Sequence, residues 1–208
     1  MIRDPNLDAI SSELKGKYNV HTVILYGSRA RNEHGPASDY DIVGIGSVDR
    51  VIRDARTWNG FFLDAFVYPE SKIQSPDASM LHMREGVVLF EKGDTGTQFL
   101  KALDEIYSRG PEKLPPDEIH ARIVWASKMI ERARQQDTEG NYRRVWLLTA
   151  LVEDYFLIRG LWYSGPKKAL SWLAKNNPPV YAAYEKALKP NAELADIEDL
   201  VKLVTGVA

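Results

Sequence analysis

The feature that most constrains this chain is Tyr26-Gly27-Ser28-Arg29-Ala30-Arg31, with ten residues between Ser28 and the pair Asp39-Tyr40-Asp41. The first stretch closes a strand-like run, His21 to Tyr26, and the acids open another, Asp39 to Ile45. Side chains alternate faces along an extended segment, so Asp39 and Asp41 point one way and Tyr40 the other. Two carboxylates held side by side repel, and a fold that keeps them needs a cation between them. A hard divalent ion such as Mg²⁺, which takes oxygen ligands, suits that place. Gly27, directly after a strand, permits a turn that a residue with a Cβ makes poorly, and lets backbone N–H groups and the Ser28 hydroxyl approach a phosphate. The turn opens a short helix, whose N-terminus favours anions. A phosphate site beside a metal site is the expectation.

Gly27-Ser28-Arg29-Ala30-Arg31 and Ser38-Asp39-x-Asp41 at this spacing resemble the signature of the DNA polymerase β-like nucleotidyltransferase superfamily. The pattern is most similar to the minimal and antibiotic-modifying branches, including the kanamycin nucleotidyltransferase-like proteins with a C-terminal helical domain. The resemblance implies a third carboxylate on a later strand between apolar residues, and Phe61-Phe62-Leu63-Asp64-Ala65-Phe66-Val67 offers Asp64. Asn32 stands where many members carry Gly. The implied chemistry is Mg²⁺-dependent transfer of a nucleoside monophosphate, AMP from ATP, to a hydroxyl, with release of pyrophosphate. Asp39 and Asp41 would then hold the metal pair and Asp64 would complete the site. Gly27 and Ser28 would cradle the β- and γ-phosphates, with Arg29 or Arg31 offsetting charge on the pyrophosphate.

Composition narrows the partners. The 208 residues carry a formal net charge of −2 and a pI near 6.1, which gives no electrostatic case for nucleic-acid binding. With no cysteine, disulfides and thiolate metal sites are excluded. Met1-Ile2-Arg3-Asp4-Pro5 lacks the apolar core of a signal peptide, and no run approaches the ~18 apolar residues of a membrane span. A cytoplasmic protein with no membrane contact is expected.

The hydropathy pattern predicts an α+β chain: a small mixed sheet with helices on one side, then a helical bundle. Leu7, Ile10 and Leu14 mark an amphipathic helix over about 6–15. Strands are expected at 21–26, 39–45, 60–68 and 86–91, and helices at 49–58, 75–84 and 97–107. Gly110-Pro111 and Pro115-Pro116 mark a linker. The expected domains are therefore 1–110, carrying the nucleotidyltransferase signature, and 117–208, a bundle that holds the acceptor.

In the second half, the long apolar helix Tyr142 to Tyr163 encloses Glu153 and Asp154. A buried carboxylate without a partner is costly, so one of them must be paired or face a cleft. Antibiotic nucleotidyltransferases, which this layout resembles, often draw an acid from such helices, and Glu153 is nominated as the base that deprotonates the acceptor. An ion pair with Arg143, Arg144 or Arg159 is the competing account, and Asp154 is the alternative acid. The expected acceptor is a small hydroxyl compound, aminoglycoside-like or lincosamide-like. A protein acceptor, as in adenylylating antitoxins, and a non-catalytic nucleotide- or partner-binding module are the alternatives. A homodimer in which one chain's helices close over the other's sheet is compatible with the pattern. The histidines are His21, His34, His82 and His120, so the second half lacks the Arg-x4-6-His motif of the RNase-type toxins that such a bundle resembles.

Overall fold

The computed structural model describes residues 4–206. Its chain begins with a helix, α1 (Pro5–Tyr18), started by Asp4, whose side chain accepts from the Asn6 N–H, and ended by Asn19 in the left-handed region. Asp, Asn and Pro at these positions are the expected start and stop chemistry.

The sheet of the first unit follows. Strand β1 (Val20–Tyr26) runs into the single turn α2 (Gly27–Ala30), then β2 (Tyr40–Gly46), β3 (Ile52–Trp58) and β4 (Phe61–Pro69). Helix α3 (Glu70–Gln74), a 3-10 helix at Ala78–Met83, strand β5 (Val87–Phe90) and α4 (Thr95–Arg109) complete it. The strand order is β3-β4-β2-β1-β5. Only β2 and β4 pair in parallel; the other neighbours are antiparallel.

Alternation along the strands divides the core in two. Val23 and Leu25 of β1, Ile42 of β2 and Ala65 of β4 pack with Ile10 and Leu14 of α1 on one face. Ile24, Tyr26, Val43 and Tyr68 pack with Ile73, Met80, Met83, Phe99 and Leu103 on the other. The expected mixed sheet is present, but helices cover both faces: α1 is amphipathic and buries its stripe on the side that α3 and α4 leave open.

The segment 49–58, expected as a helix, carries strand β3 from Ile52 to Trp58. Its reason lies in the next two residues. Asn59 and Gly60 both have positive φ, 47° and 83°, as a two-residue hairpin of the primed type requires. The turn commits the flanking chain to an antiparallel pair, in which Asp54 and Trp58 face inward. Asp54 is satisfied by Lys17, Tyr18 and Arg56.

The chain divides into two compact units, Met1–Arg109 and Gly110–Ala208. The second is helical: α5 (Pro116–Ala133), α6 (Thr138–Ile158), α7 (Pro166–Asn176), α8 (Pro178–Ala187) and α9 (Leu194–Thr205). Leu147, Leu151, Leu173, Tyr184, Ile197 and Leu200 are at its centre. Helix α6 stops at Ile158, short of the expected Tyr163, because Gly160 takes a positive φ of 61°. Nor is α6 buried all round: Tyr142, Val145 and Trp146 form an exposed apolar stripe. Among the described residues no helix is long and apolar enough to cross a membrane.

Asp154 is buried in this core and receives Arg122 Nη1 at 2.6 Å. Burial raises its pKa, and the guanidinium opposes that rise. Removing one partner of such a pair strands the other charge, a loss of about 3 kcal/mol. Asp154→Ala is expected to lower the urea midpoint of the helical unit's unfolding accordingly, while the double substitution Arg122→Met with Asp154→Leu recovers most of it; equal destabilisation by the single and double variants would contradict the assignment.

Candidate active site

The register of the central strands brings the acids together. In the parallel pair β2/β4, Asp41 stands opposite Asp64, and in the antiparallel pair β1/β2, Tyr26 stands opposite Asp41. Tyr26, Asp41 and Asp64 therefore form a row across three strands. All three point to the face that α3 and α4 cover, since Tyr26, Val43 and Tyr68 of that same parity belong to its core. Asp39 precedes β2 by one residue, with Tyr40 turned to the α1 face as expected.

These charges act on one another. The Asp41 carboxyl is raised above its ordinary range, first by burial and then by the negative charges of Asp39 and Asp64; Arg31 and His82 pull it back. Burial, then Asp41 and Asp64, push the Tyr26 phenol well above its usual range. A carboxylate raised by burial and by two neighbouring carboxylates has too little positive charge beside it.

Gly27 is where the turn meets this cluster. Its φ is +73°, and a Cβ built on it would lie 2.0 Å from Asp41 Oδ2. The glycine is thus required twice, by its backbone and by the carboxylate that lies against it. Ser28, next in α2, is half-buried, and its carbonyl receives the Glu33 N–H at 2.9 Å.

The two arginines expected at the pyrophosphate have other partners. Arg29 turns to the α1 side, its guanidinium 3.8 Å from the centre of the Tyr40 ring. Nε donates to the Asp39 carbonyl at 3.0 Å and Nη2 to the Ser38 carbonyl at 2.7 Å. These bonds to the backbone just before β2 let Arg29 brace that loop, while its Nη1 lies 4.0 Å from Asp4 Oδ2. Arg31 lies near Asp41 but pairs with Glu33 at 2.8 Å and Glu85 at 3.6 Å.

Asp64 also has a partner the sequence pattern did not reveal. Arg53 of β3 forks onto it, Nε to Oδ1 and Nη2 to Oδ2, both at 2.9 Å. As the side chains stand, no three His, Asp or Glu residues are grouped so as to hold a metal ion, among the described residues. The donor set nonetheless fits a hard divalent cation: three carboxylates share a face, two raise the pKa of the third, and the glycine turn leaves Asp41 unobstructed.

The acids of the second unit separate into two kinds. Asp154 is a buried structural residue held by Arg122. Glu153 is exposed on α6, and its charge adds to the burial that raises the Tyr163 phenol. None of the three arginines proposed as its partners pairs with it: Arg143 bonds Glu139, and Arg144 and Arg159 donate to backbone carbonyls. His82 is a further residue that sequence reasoning missed. It sits edge-on to Tyr26, ring centres 5.5 Å apart, and close enough to Asp41 to act against the rise of its pKa. No sequence signal marks it, because its placement depends on a 3-10 turn.

The family model described as a nucleotidyltransferase domain matches residues 7–132, and the chain belongs to that family, within the DNA polymerase β-like superfamily. The match spans the whole sheet and continues through nearly all of α5. A solved nucleotidyltransferase-like protein from Exiguobacterium sibiricum is similar at 17% identity, over 96% of this chain and 75% of that one, with a TM-score of 0.43. That likeness is too distant to bear on activity. No curated protein sequence matches this chain significantly.

Gly27→Ala tests the close approach. It forces a left-handed backbone on alanine and drives a methyl into Asp41, a loss of about 1 to 3 kcal/mol. Thermal unfolding should show that loss; a melting temperature equal to the wild type would contradict the placement of Asp41 against the turn.

Proposed function

We propose that this chain is a Mg²⁺-dependent nucleotidyltransferase that moves AMP from ATP to a hydroxyl of a small molecule, aminoglycoside-like or lincosamide-like. The observation that carries the reading is the pairing of Asp41 opposite Asp64 on parallel strands, with Asp41 against the Gly27 turn. A nucleotidyltransferase domain supplies the reaction class.

In this reading Asp39, Asp41 and Asp64 hold Mg²⁺, which supplies neutralising charge for the phosphate oxygens of the donor. Backbone N–H groups of the Gly27-Ser28 turn, at the positive end of α2, bind the β- and γ-phosphates. Arg31, released from Glu33 and Glu85, offsets the charge of the departing pyrophosphate. The acceptor oxygen forms its bond to the α-phosphorus as the bond from that phosphorus to the pyrophosphate oxygen breaks. The acceptor's proton passes to a carboxylate, and Glu153 is the residue assigned to receive it. Its exposure and the absence of an arginine partner among its three candidates suit a group that must exchange protons.

A protein acceptor is the second reading. It is favoured by the exposed stripe of Tyr142, Val145 and Trp146 on α6, the helix that also carries Glu153, since exposed aromatic patches commonly mark protein contacts.

Two substitutions separate the roles. Asp41→Asn should reduce pyrophosphate release from Mg²⁺-ATP by at least about a hundredfold while the far-UV circular dichroism stays unchanged; release at the wild-type rate would defeat the metal assignment. Glu153→Gln should lower kcat about a hundredfold or more with ATP binding retained. An unchanged kcat would remove Glu153 as the base.

A further inference from the structure

Arg53 lies against the acids, and the nucleotidyl-transfer reading gives it no task. It lies on β3, the edge strand, opposite Phe66 of β4, and therefore on the same face as Asp64. Its guanidinium lies 5.2 Å from the centre of the Phe66 ring. From there it meets both Asp64 oxygens, at 2.9 Å each. The Arg53 side chain is 58% exposed and that of Asp64 19%.

The distribution of positive charge over the acids is uneven. Asp64, two strands from the Gly27 turn, has a bidentate partner, whereas Asp41 is left with the more remote charges of Arg31 and His82. A fork of this kind takes one lone pair on each carboxylate oxygen and fixes the carboxylate plane toward the guanidinium. A cation shared between Asp41 and Asp64 has to turn Asp64 out of that fork. Water competes for the exposed Arg53 end of this pair, so the guanidinium can be displaced by a stronger ligand of Asp64. The guanidinium so released then needs another anion, and a triphosphate oxygen is the natural replacement.

We infer that Arg53 is a positioning residue that competes with the divalent cation for Asp64, so that the site takes up the cation well only together with a triphosphate. The inference rests on the nucleotidyltransferase reading and adds to it a coupling between metal and nucleotide binding. Coupling of this sort is reciprocal: the cation favours the triphosphate to the same degree as the triphosphate favours the cation.

The test is the affinity for Mn²⁺, read from the electron paramagnetic resonance signal of the free ion, with and without a non-hydrolysable ATP analogue. The wild type, Arg53→Gln, Arg53→Lys and Asp41→Asn are compared, with Arg53→Met as a second neutral variant. Without nucleotide, Arg53→Gln and Arg53→Met should bind Mn²⁺ about fivefold more tightly than the wild type, the factor equivalent to an exposed ion pair of about 1 kcal/mol. Arg53→Lys should stay near the wild type, because it retains the charge. With the analogue present the gap should close, since the wild-type guanidinium then has a phosphate to pair with. Equal or weaker Mn²⁺ binding by the neutral variants, with Asp41→Asn abolishing it, overturns the competition and leaves the metal site standing. No Mn²⁺ binding by any protein, with or without the analogue, overturns both the inference and the metal-dependent reading beneath it.

Discussion

Repulsion between carboxylates is the constraint on which the first unit is built. The parallel pairing of β2 with β4 sets Asp41 directly opposite Asp64, and Asp39 adds a third negative charge at the mouth of the same strand. Hydrophobic burial on both sides of the sheet fixes this register: a slip by one residue would turn Ile42 and Ala65 out of the α1 core and the acids into it. The core therefore holds the acids in a place they would not choose: burial first, and the charges of Asp39 and Asp64 second, raise the Asp41 carboxyl. Functional sites commonly hold such stress at the cost of stability.

Three guanidiniums surround the strain, and position gives each a different effect. Arg29, its side chain 10% exposed and bonded to backbone carbonyls, fixes the loop that delivers Asp39. Arg31 lies within reach of Asp41 but is shared between two glutamates. Arg53, reaching in from the sheet edge, alone grips one of the three acids. Buried, well-bonded Arg29 has nowhere else to go, while exposed Arg53 does. That contrast in burial makes one a brace and the other a displaceable counter-ion.

The shared face of the acids was legible in the sequence because its signal is local. Asp39 and Asp41 are two residues apart, the glycine turn abuts a strand, and Asp64 is the lone acid in an apolar run. Strand alternation then suffices to place them on one face. What escaped was non-local or hidden by charge. Segment 49–58 carries Arg53, Asp54 and Arg56, which resemble a polar helix, and only the Asn59-Gly60 turn after it marks a hairpin. Missing β3 meant missing Arg53, since the fork onto Asp64 exists only across paired strands. The direction of Arg29 also escaped, because a motif gives proximity without direction and the Tyr40 ring and the Ser38 carbonyl set it. In the second unit Glu153 and Asp154 are sequence neighbours with opposite fates, as successive residues of a helix point about 100° apart.

The central claim is that Asp39, Asp41 and Asp64 jointly form a cation site beside the Gly27 turn. The most direct measurement is anomalous scattering from crystals grown with Mn²⁺ and a non-hydrolysable ATP analogue. The account predicts a manganese peak within coordination distance of Asp39 and Asp41, with Asp64 turned from Arg53 toward it and the analogue's phosphates against the glycine turn. Nucleotide density elsewhere on the chain, or a peak that none of the three acids touches, would contradict it.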